Sequence, residues 1–258
     1  MLFSDLDRTL IYSKVFYSDF DGAMVPVETK EGKFTSHTTS GALIKLISFR
    51  EAFFLVPVTA RTLEQALRVH FIRDQFPEFM VCESGKEIYI NGELDTVWES
   101  HLRSQLEISR RSREHAYNHI SQEFSSYFGC NFYPINESMI MTKIENLNHY
   151  HEGYVKSMIP FADSLGCDLI LQEKKLYLFP KEITKGNAVK YLIERESPRL
   201  SVSSGDAQMD YSMFSSTTHH IAPMHHTITG DIKVTTGRRS LDAAEDIIDY
   251  AYQILAYN

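Results

Sequence analysis

Two pairs of aspartates stand near opposite ends of the sequence, and each pair follows a short apolar run. Asp5 and Asp7 come directly after the apolar start of the chain, and Asp206 and Asp210 follow residues 200–204. Closely spaced carboxylates can bind a divalent cation, transfer protons or attack an electrophile. Each pair alone also has an ordinary explanation, because aspartate is favoured at helix N-caps and in turns.

A hydroxyl group and an ammonium group stand between these two pairs in the sequence. Thr59 ends the continuous apolar run of residues 53–58, and Lys185 precedes a segment with helical spacing. Taken singly, such a threonine is usually a helix cap and such a lysine a solvated charge. The informative feature is therefore their order, because the two acid pairs and the hydroxyl all follow strand-like runs.

Four segments of the chain contain these groups: Leu2-Phe3-Ser4-Asp5-Leu6-Asp7-Arg8-Thr9, Val56-Pro57-Val58-Thr59-Ala60-Arg61, Lys185-Gly186-Asn187-Ala188 and Gly205-Asp206-Ala207-Gln208-Met209-Asp210. Together they resemble the four motifs of the haloacid dehalogenase superfamily, hhhhDxDxT, hhhT/S, a lysine and GDxxxD, where h is apolar. Three positions depart from the usual pattern of its Cof-like branch: Arg8 replaces a glycine, Met209 an asparagine, and Ser84 the asparagine of an Asn-Gly pair.

The resemblance implies a role for each group in phosphoryl transfer. Asp5 is expected to be the nucleophile that forms an aspartyl-phosphate, and Asp7 the general acid and base. Thr59 and Lys185 are expected to bind the transferring phosphoryl group. The implied cofactor is Mg²⁺, which four residues would hold: Asp5, Asp7 through its carbonyl group, Asp206, and Asp210 through water or a hydrogen bond.

The composition restricts the partners of the protein. The 258 residues are 43% hydrophobic and 23% charged, as in a globular protein, and the formal net charge is -8. This charge disfavours broad binding to nucleic acid or to an anionic membrane. The segment before Asp5 is too short for a secretory signal, and Cys82, Cys130 and Cys167 lack the spacing of a metal site. We therefore expect a cytoplasmic protein without zinc or disulfides.

Apolar runs and helical patterns alternate along the chain as in an α/β protein. Strand-like runs at 2–4, 53–58, 79–82 and 200–204 are separated by helical patterns at 40–47, 63–71 and 186–194, and a final helix is predicted at 241–255. This alternation predicts a parallel sheet with right-handed crossovers, whose ligands collect at the carboxyl ends of the strands. The predicted fold class is α/β, with the Rossmann-like parallel-sheet core of the superfamily.

The sequence changes character after residue 85, where a second domain is predicted to begin. A hairpin-like segment with an Asn91-Gly92 turn leads into a polar helical stretch at 98–128. Further strands are predicted at 138–144, 167–172 and 176–179, with a helix at 148–165. We predict a catalytic core of residues 1–85 and 181–258 with an inserted α+β cap domain of residues 86–180. A large α/β cap is typical of the Cof-like branch.

Two conspicuous clusters are interpreted without a functional role. His219-His220 and His225-His226 could suggest a metal site, but neighbouring residues of a strand point to opposite faces and chelate one ion poorly. The arginines of the predicted cap are interpreted as a solvated helix face rather than as substrate ligands: Arg103, Arg110, Arg111 and Arg113.

The expected function is that of a Mg²⁺-dependent phosphatase acting on a small phosphorylated metabolite, with sugar phosphates suggested by the Cof-like branch. Two alternatives stay open. A mutase or phosphotransferase would use the same aspartyl-phosphate, and a binding or regulatory protein could keep the fold without turnover.

Overall fold

The computed structural model describes residues 1–16 and 22–257. Contacts divide the chain into two compact units, Met1–Glu99 with Thr184–Asn258, and Ser100–Ile183. The sequence placed the boundaries after residues 85 and 180. Residues 87–94 fall in the first unit because the strand Glu87–Ile90 pairs with the strand that ends at Cys82, and Glu93–Leu94 pairs with Glu87–Ile90. The assignment of the inserted region as a cap stays a prediction.

The strands of the described chain are β1 (Leu2–Ser4), β2 (Tyr12–Ser13), β3 (Met24–Lys30), β4 (Lys33–Thr39), β5 (Leu55–Pro57), β6 (Phe79–Cys82), β7 (Glu87–Ile90), β8 (Glu93–Leu94), β9 (Tyr133–Pro134), β10 (Ile140–Lys143), β11 (Cys167–Gln172), β12 (Lys175–Pro180), β13 (Val202–Ser204) and β14 (His219–Ile221). The α-helices are α1 (Ser40–Ala52), α2 (Leu63–Ala66), α3 (His70–Arg73), α4 (Thr96–Ile108), α5 (Arg110–Phe128), α6 (His149–Ser164), α7 (Lys185–Glu196), α8 (Tyr211–Phe214) and α9 (Leu241–Tyr257). Short 3-10 helices lie at Lys14–Phe16, Glu83–Gly85 and Gln208–Asp210.

A parallel sheet in the order β14-β13-β1-β5 forms the centre of the first unit. Leu2 of β1 is level with Val202 of β13 and with Leu55 of β5. Every residue of β1, β5 and β13 is buried, as expected for strands covered on both faces. The α/β class with a parallel sheet is therefore confirmed, and the aligned register brings three carboxyl ends to one edge.

The helices α1 and α9 pack together and contribute to the hydrophobic core of this unit. Ala42, Leu46 and Phe49 are the buried residues of α1, and their spacing places them on one helix face. The helix begins after Thr39, whose hydroxyl accepts a hydrogen bond from the amide of Ala42 at 2.9 Å. Burial of the larger side chains of Leu46 and Phe49 contributes about 1.5–3 kcal/mol each to folding.

An antiparallel sheet of β2, β4 and β3 follows the first parallel strand in sequence. The pairing of β3 with β4 changes register on both sides of Glu28. Such an irregularity bends a strand and redirects a side chain. The irregularity occurs at Glu28, whose side chain forms an ion pair with Arg61.

The second unit, Ser100–Ile183, contains a four-stranded antiparallel sheet in the order β11-β12-β10-β9. Its own hydrophobic cluster joins the buried faces of α5 and α6 to this sheet. Helices and antiparallel strands are thus combined in an α+β arrangement, as predicted. None of the helices in the described part of the chain has both the length and the apolar character of a membrane span.

Two helices predicted as single elements are interrupted. The pattern at 63–71 forms α2 and α3, because Val69 between them is extended and bridges to Glu28 of β3. The pattern at 98–128 forms α4 and α5, which meet at Ser109. In the first case a tertiary contact overrides helical periodicity.

Candidate active site

The carboxyl ends of β1, β5 and β13 deliver the predicted site residues to one edge of the parallel sheet. The amide of Asp5 donates to the carbonyl of Ser204 at 2.9 Å, and the amide of Val58 donates to that of Ser4 at 2.8 Å. The amide of Thr59 donates to Val81 at 2.9 Å. These bonds extend the sheet to the first residues beyond the strands, so the positions of Asp5 and Thr59 are fixed by backbone pairing.

Three carboxylates form a buried cluster at this edge. Oxygen atoms of Asp5, Asp206 and Asp210 lie within 4.8 Å of one another. Oδ2 of Asp206 is buried and has no hydrogen-bond partner in the described structure. A buried, unpartnered carboxylate oxygen is costly unless a cation or a donor reaches it. The oxygen-rich cluster therefore fits a hard divalent cation such as Mg²⁺.

Lys185 enters this cluster as the first residue of α7, not from the segment before it. Its Nζ lies 2.6 Å from Oδ1 of Asp5 and 2.6 Å from Oδ1 of Asp210. The helix is capped by Thr184, whose side chain accepts from the amide of Asn187. Capping fixes the first turn of α7, so the lysine side chain extends from a rigid backbone into the acid cluster.

Hydrogen bonds also orient the carboxylates. The hydroxyl of Thr9 donates to Oδ2 of Asp5 at 3.2 Å, and the amide of Ala207 donates to Oδ2 of Asp210 at 2.9 Å. Each of these two carboxylates thus has one oxygen on Lys185 and the other on a second donor. Asp206 differs, because its Oδ2 has no such partner.

Burial and mutual repulsion oppose ionisation in the cluster. Burial raises the pKa of Asp5 above its ordinary value, the attraction of Lys185 opposes this rise, and Asp210 adds to it. Burial raises the pKa of Asp206 to about 8, with further contributions from Asp5 and Asp210. Burial alone would lower the pKa of Lys185, but its two carboxylate partners outweigh it and raise the pKa. The cluster therefore favours the uptake of positive charge.

Thr59 is fully buried at the end of β5, beside β1. Its hydroxyl oxygen accepts a hydrogen bond from the amide of Arg61 at 3.2 Å. The carbonyl of Thr59 accepts from the amide of Ser84 at 3.0 Å, in a turn where Glu83, Ser84 and Gly85 all have positive φ. Because the Thr59 hydroxyl oxygen acts as the acceptor in this bond, the hydroxyl hydrogen can still be donated to another group.

Asp7 lies outside the carboxylate cluster. Its side chain is 51% exposed and forms a two-point ion pair with Arg61, at 2.7 Å to Nε and 2.6 Å to Nη2. The structure thus brings together the side chains of Asp5, Lys185, Asp206 and Asp210, with Thr59 on the neighbouring strand end. The carboxylate of Asp7 is turned to a different partner.

Arg61 and Glu28 are two further residues of the site, and no role was predicted for either of them from the sequence. Arg61 also donates to Oε1 of Glu28 at 2.7 Å, so one guanidinium bridges two carboxylates. The side chain of Ser36 makes a short hydrogen bond to Glu28. Arg61 stands two residues after Thr59, within a quoted motif, and this was the available signal. Glu28 had none, because only the pairing of β3 with β4 brings it there.

Arg8 lies next to Asp206, a member of the acid cluster. Its Nη1 is 3.8 Å from Oδ2 of Asp206, and its guanidinium carbon is 4.0 Å from the ring centre of Phe16. Nε2 of His225 lies 2.9 Å from the carbonyl oxygen of Arg8, and Nδ1 accepts from the amide of Ser240. These two bonds define one neutral tautomer of His225, which donates to Arg8.

No protein-family model matches the chain, and no curated protein is a significant match. Solved structures do match it. A sucrose-phosphatase from Synechocystis sp. PCC6803, solved with sucrose and phosphate, aligns with a TM-score of 0.67 at 17% identity, covering 99% of this chain and 97% of that one. A haloacid dehalogenase-like hydrolase from B. subtilis gives 0.59 at 14% identity over 96% and 99%.

A trehalose-6-phosphate phosphatase from Aspergillus fumigatus aligns with a TM-score of 0.59 at 10% identity, covering 96% of this chain and 91% of the other. Such similarity extends over nearly the whole of each chain, whereas the identities are too low to transfer an activity. The parallel sheet, the inserted α+β region and these structural neighbours agree with the resemblance found in the four motifs. The chain therefore shares the fold of these solved haloacid dehalogenase-like and phosphatase structures.

Proposed function

We propose that the protein is a Mg²⁺-dependent phosphatase that hydrolyses a small phosphorylated metabolite through an aspartyl-phosphate on Asp5. The observation that supports this proposal best is the buried cluster of Asp5, Asp206 and Asp210 with Lys185 between two of its members. Such a cluster is costly to fold and therefore argues for a function that needs concentrated charge.

Asp5 is the proposed nucleophile. Its carboxylate is oriented by Lys185 on one oxygen and by Thr9 on the other. An Asp5 oxygen forms a bond to phosphorus while the bond from phosphorus to the leaving oxygen breaks. A water molecule then attacks the phosphorus, the bond to Asp5 breaks, and inorganic phosphate is released. Lys185 and Thr59 stabilise charge on the phosphoryl oxygens.

Asp7 is the proposed proton donor and acceptor. It gives a proton to the leaving oxygen in the first half-reaction and takes one from the attacking water in the second. In the pair with Arg61 its carboxylate is held as an acceptor, so it must release Arg61 to protonate the leaving group. When Asp7 releases Arg61, the guanidinium group still has Glu28 as an ion-pair partner.

The proposed metal ligands are the carboxylates of Asp5, Asp206 and Asp210 and the carbonyl group of Asp7. When bound there, Mg²⁺ would neutralise the repulsion between these acids and the phosphoryl oxygens. The sugar-phosphate class is proposed from the neighbours whose names include sucrose and trehalose 6-phosphate.

The test is a panel of sugar phosphates assayed for free phosphate with and without Mg²⁺. We expect release that requires Mg²⁺ and falls by at least about 10³-fold in Asp5→Asn, since the nucleophile is lost. Asp249→Asn is the matched control, because that carboxylate lies on the exposed face of α9 and pairs with Lys45. Unchanged activity in Asp5→Asn would overturn the assignment of the nucleophile.

The same assay separates two other functions. Stoichiometric isomerisation of a sugar phosphate without free phosphate would identify a mutase. Absence of turnover over the whole panel, together with tight binding of one member, would favour a regulatory protein of this fold.

A further inference from the structure

A second cation, Arg8, lies beside the acid cluster. Lys185 contacts Asp5 and Asp210, whereas the guanidinium of Arg8 is 3.8 Å from Oδ2 of Asp206. That oxygen is the one with no hydrogen-bond partner in the described structure. The ion pair with Arg8 therefore supplies charge to Asp206 while leaving the oxygen without a hydrogen bond, so a metal ion could still bind it.

The backbone of Arg8 is in a conformation that few side-chain-bearing residues adopt. Its φ is 63°, in the left-handed region where glycine is favoured. The carbonyl bond from His225 and the guanidinium contact with the Phe16 ring hold the residue in place. A strained position that carries a charged side chain towards a reaction centre points to a functional constraint.

We propose that Arg8 is a built-in counter-cation of Asp206 that competes with Mg²⁺ and lowers the affinity of the site for the metal. The inference rests on the metal site of the proposed function. The guanidinium and the metal share one carboxylate, and their positive charges repel each other across a short distance in a buried environment. Lys185 does not serve as the counter-cation of Asp206, because its two ion pairs are with Asp5 and Asp210.

The consequence concerns how metal occupancy is controlled. A site of three acids balanced only by Lys185 would bind Mg²⁺ more tightly than one in which a second cation also faces the acids. With Arg8 beside Asp206, the apo site carries less uncompensated charge, and the metal must displace part of an existing interaction. The protein would then respond to changes in Mg²⁺ concentration instead of retaining the ion.

The test is a calorimetric titration of the metal-free protein with MgCl₂ at constant ionic strength. Arg8→Met removes the charge and keeps a side chain at the strained position, and Arg8→Gly removes both the charge and the strain. Arg8→Lys keeps the charge. We expect the Kd for Mg²⁺ to fall about tenfold in the first two variants and to change less than about threefold in Arg8→Lys.

A second readout is the rise in Tm on addition of Mg²⁺, which should be larger in Arg8→Met than in the natural protein at the same Mg²⁺ concentration. It also shows whether each variant is folded. Agreement between Arg8→Met and Arg8→Gly assigns the effect to charge and not to backbone strain.

The outcomes separate this inference from the function on which it rests. Equal Mg²⁺ affinity in all four proteins, or weaker binding in Arg8→Met and Arg8→Gly, would overturn the role of Arg8 and leave the metal site intact. If neither the natural protein nor any Arg8 variant binds Mg²⁺, the proposed metal site itself is wrong.

Discussion

At the scale of single residues, the buried ammonium group of Lys185 offers the sharpest electrostatic test. Lys185→Met would leave Asp5 and Asp210 buried without their shared cation, which costs about 3–5 kcal/mol for a pair broken in this way. We expect a loss of free energy of unfolding of that order in metal-free protein, with part of it restored by Mg²⁺. Urea unfolding with and without Mg²⁺ measures both quantities.

Lys190→Met is the matched control, because Lys190 lies on the same helix with its side chain 68% exposed and paired with Glu194. Such surface pairs contribute about 0.3–0.5 kcal/mol. A loss in Lys185→Met no larger than that of the control would mean that the buried ion pairs contribute nothing to stability.

Glu28 gives a prediction about pH. Burial alone would raise its pKa, but hydrogen bonds from Arg61 and Ser36 outweigh that effect and lower it. A carboxyl whose folded-state pKa is depressed adds stability above its unfolded pKa, and that stability is lost as the pH falls through the folded-state value. We therefore expect the free energy of unfolding to decline as the pH falls below about 4.5.

Glu28→Gln should flatten that decline, because the amide does not titrate over this range. Ser36→Ala removes one of the bonds that lower the pKa of Glu28 and should flatten it partly. Urea unfolding from pH 3 to pH 7 measures the slopes, and parallel slopes in the natural protein and Glu28→Gln would contradict the explanation.

The motifs were sufficient to name the residues of the cluster, because Asp5, Lys185 and the second acid pair each follow a recognisable local pattern. They were insufficient for Glu28 and Arg61. Their contact depends on a register shift in β3 and β4, and no local pattern encodes which side chain an irregular pairing redirects. The pair of Asp7 with Arg61 was missed because it joins two residues from different motif segments, and neither segment reports which side chains face each other.

At the scale of elements, the first turn of α7 depends on close packing against α8. A Cβ at Gly186 would lie 2.4 Å from the carbonyl oxygen of Ser212, a backbone atom that cannot move without moving its helix. Gly186→Ala is therefore expected to lower the free energy of unfolding by about 1–3 kcal/mol and to displace Lys185. Thermal and urea unfolding measure the first effect.

Gly153→Ala in α6 is the control for helix propensity. A Cβ there meets nothing within 4 Å, so the substitution should stabilise the helix by about 0.5–1 kcal/mol. Opposite signs for these two helical glycines would assign the loss at Gly186 to packing. A change in the free energy of unfolding with the same sign at both positions would contradict the packing explanation.

Element types could be predicted well where the chain pattern and the tertiary contacts agree. The strand β11 has the predicted bounds, and α6 begins after Asn148, whose side chain accepts from the amides of Tyr150 and His151. The interruptions were unpredictable. Val69 leaves the helical conformation to bridge to β3, and that partner is distant in sequence.

At the scale of the whole molecule, the change in sequence character after Gly85 predicts a second domain, and the contacts divide the chain into two units. Contacts place β7 and β8 in the first unit, because β7 pairs with β6 and β8 pairs with β7. Strand pairing, which local composition does not report, decides which unit a boundary segment joins. The core of each unit is nevertheless made of the apolar positions expected from periodicity.

The second unit has its own hydrophobic core, so we expect a destabilising substitution in that core to affect only this unit. Phe124 is fully buried and its ring lies 5.5–5.9 Å from those of Phe128, Phe132 and Tyr154. Phe124→Ala should remove about 3–5 kcal/mol. Because all of these contacts lie within Ser100–Ile183, hydrogen exchange should accelerate in α5, α6 and β11 while β1 and β13 keep their protection.

Binding of Mg²⁺ should be unaffected in Phe124→Ala, since every proposed ligand belongs to the first unit. Tyr127→Ala is the control, as this neighbouring aromatic side chain is 64% exposed and its removal should cost less than about 1 kcal/mol. Exchange that accelerates equally in β1 and α5 would mean that the two units unfold as one. Exchange confined to the second unit, with an unchanged Kd for Mg²⁺, is the result that two separate cores require.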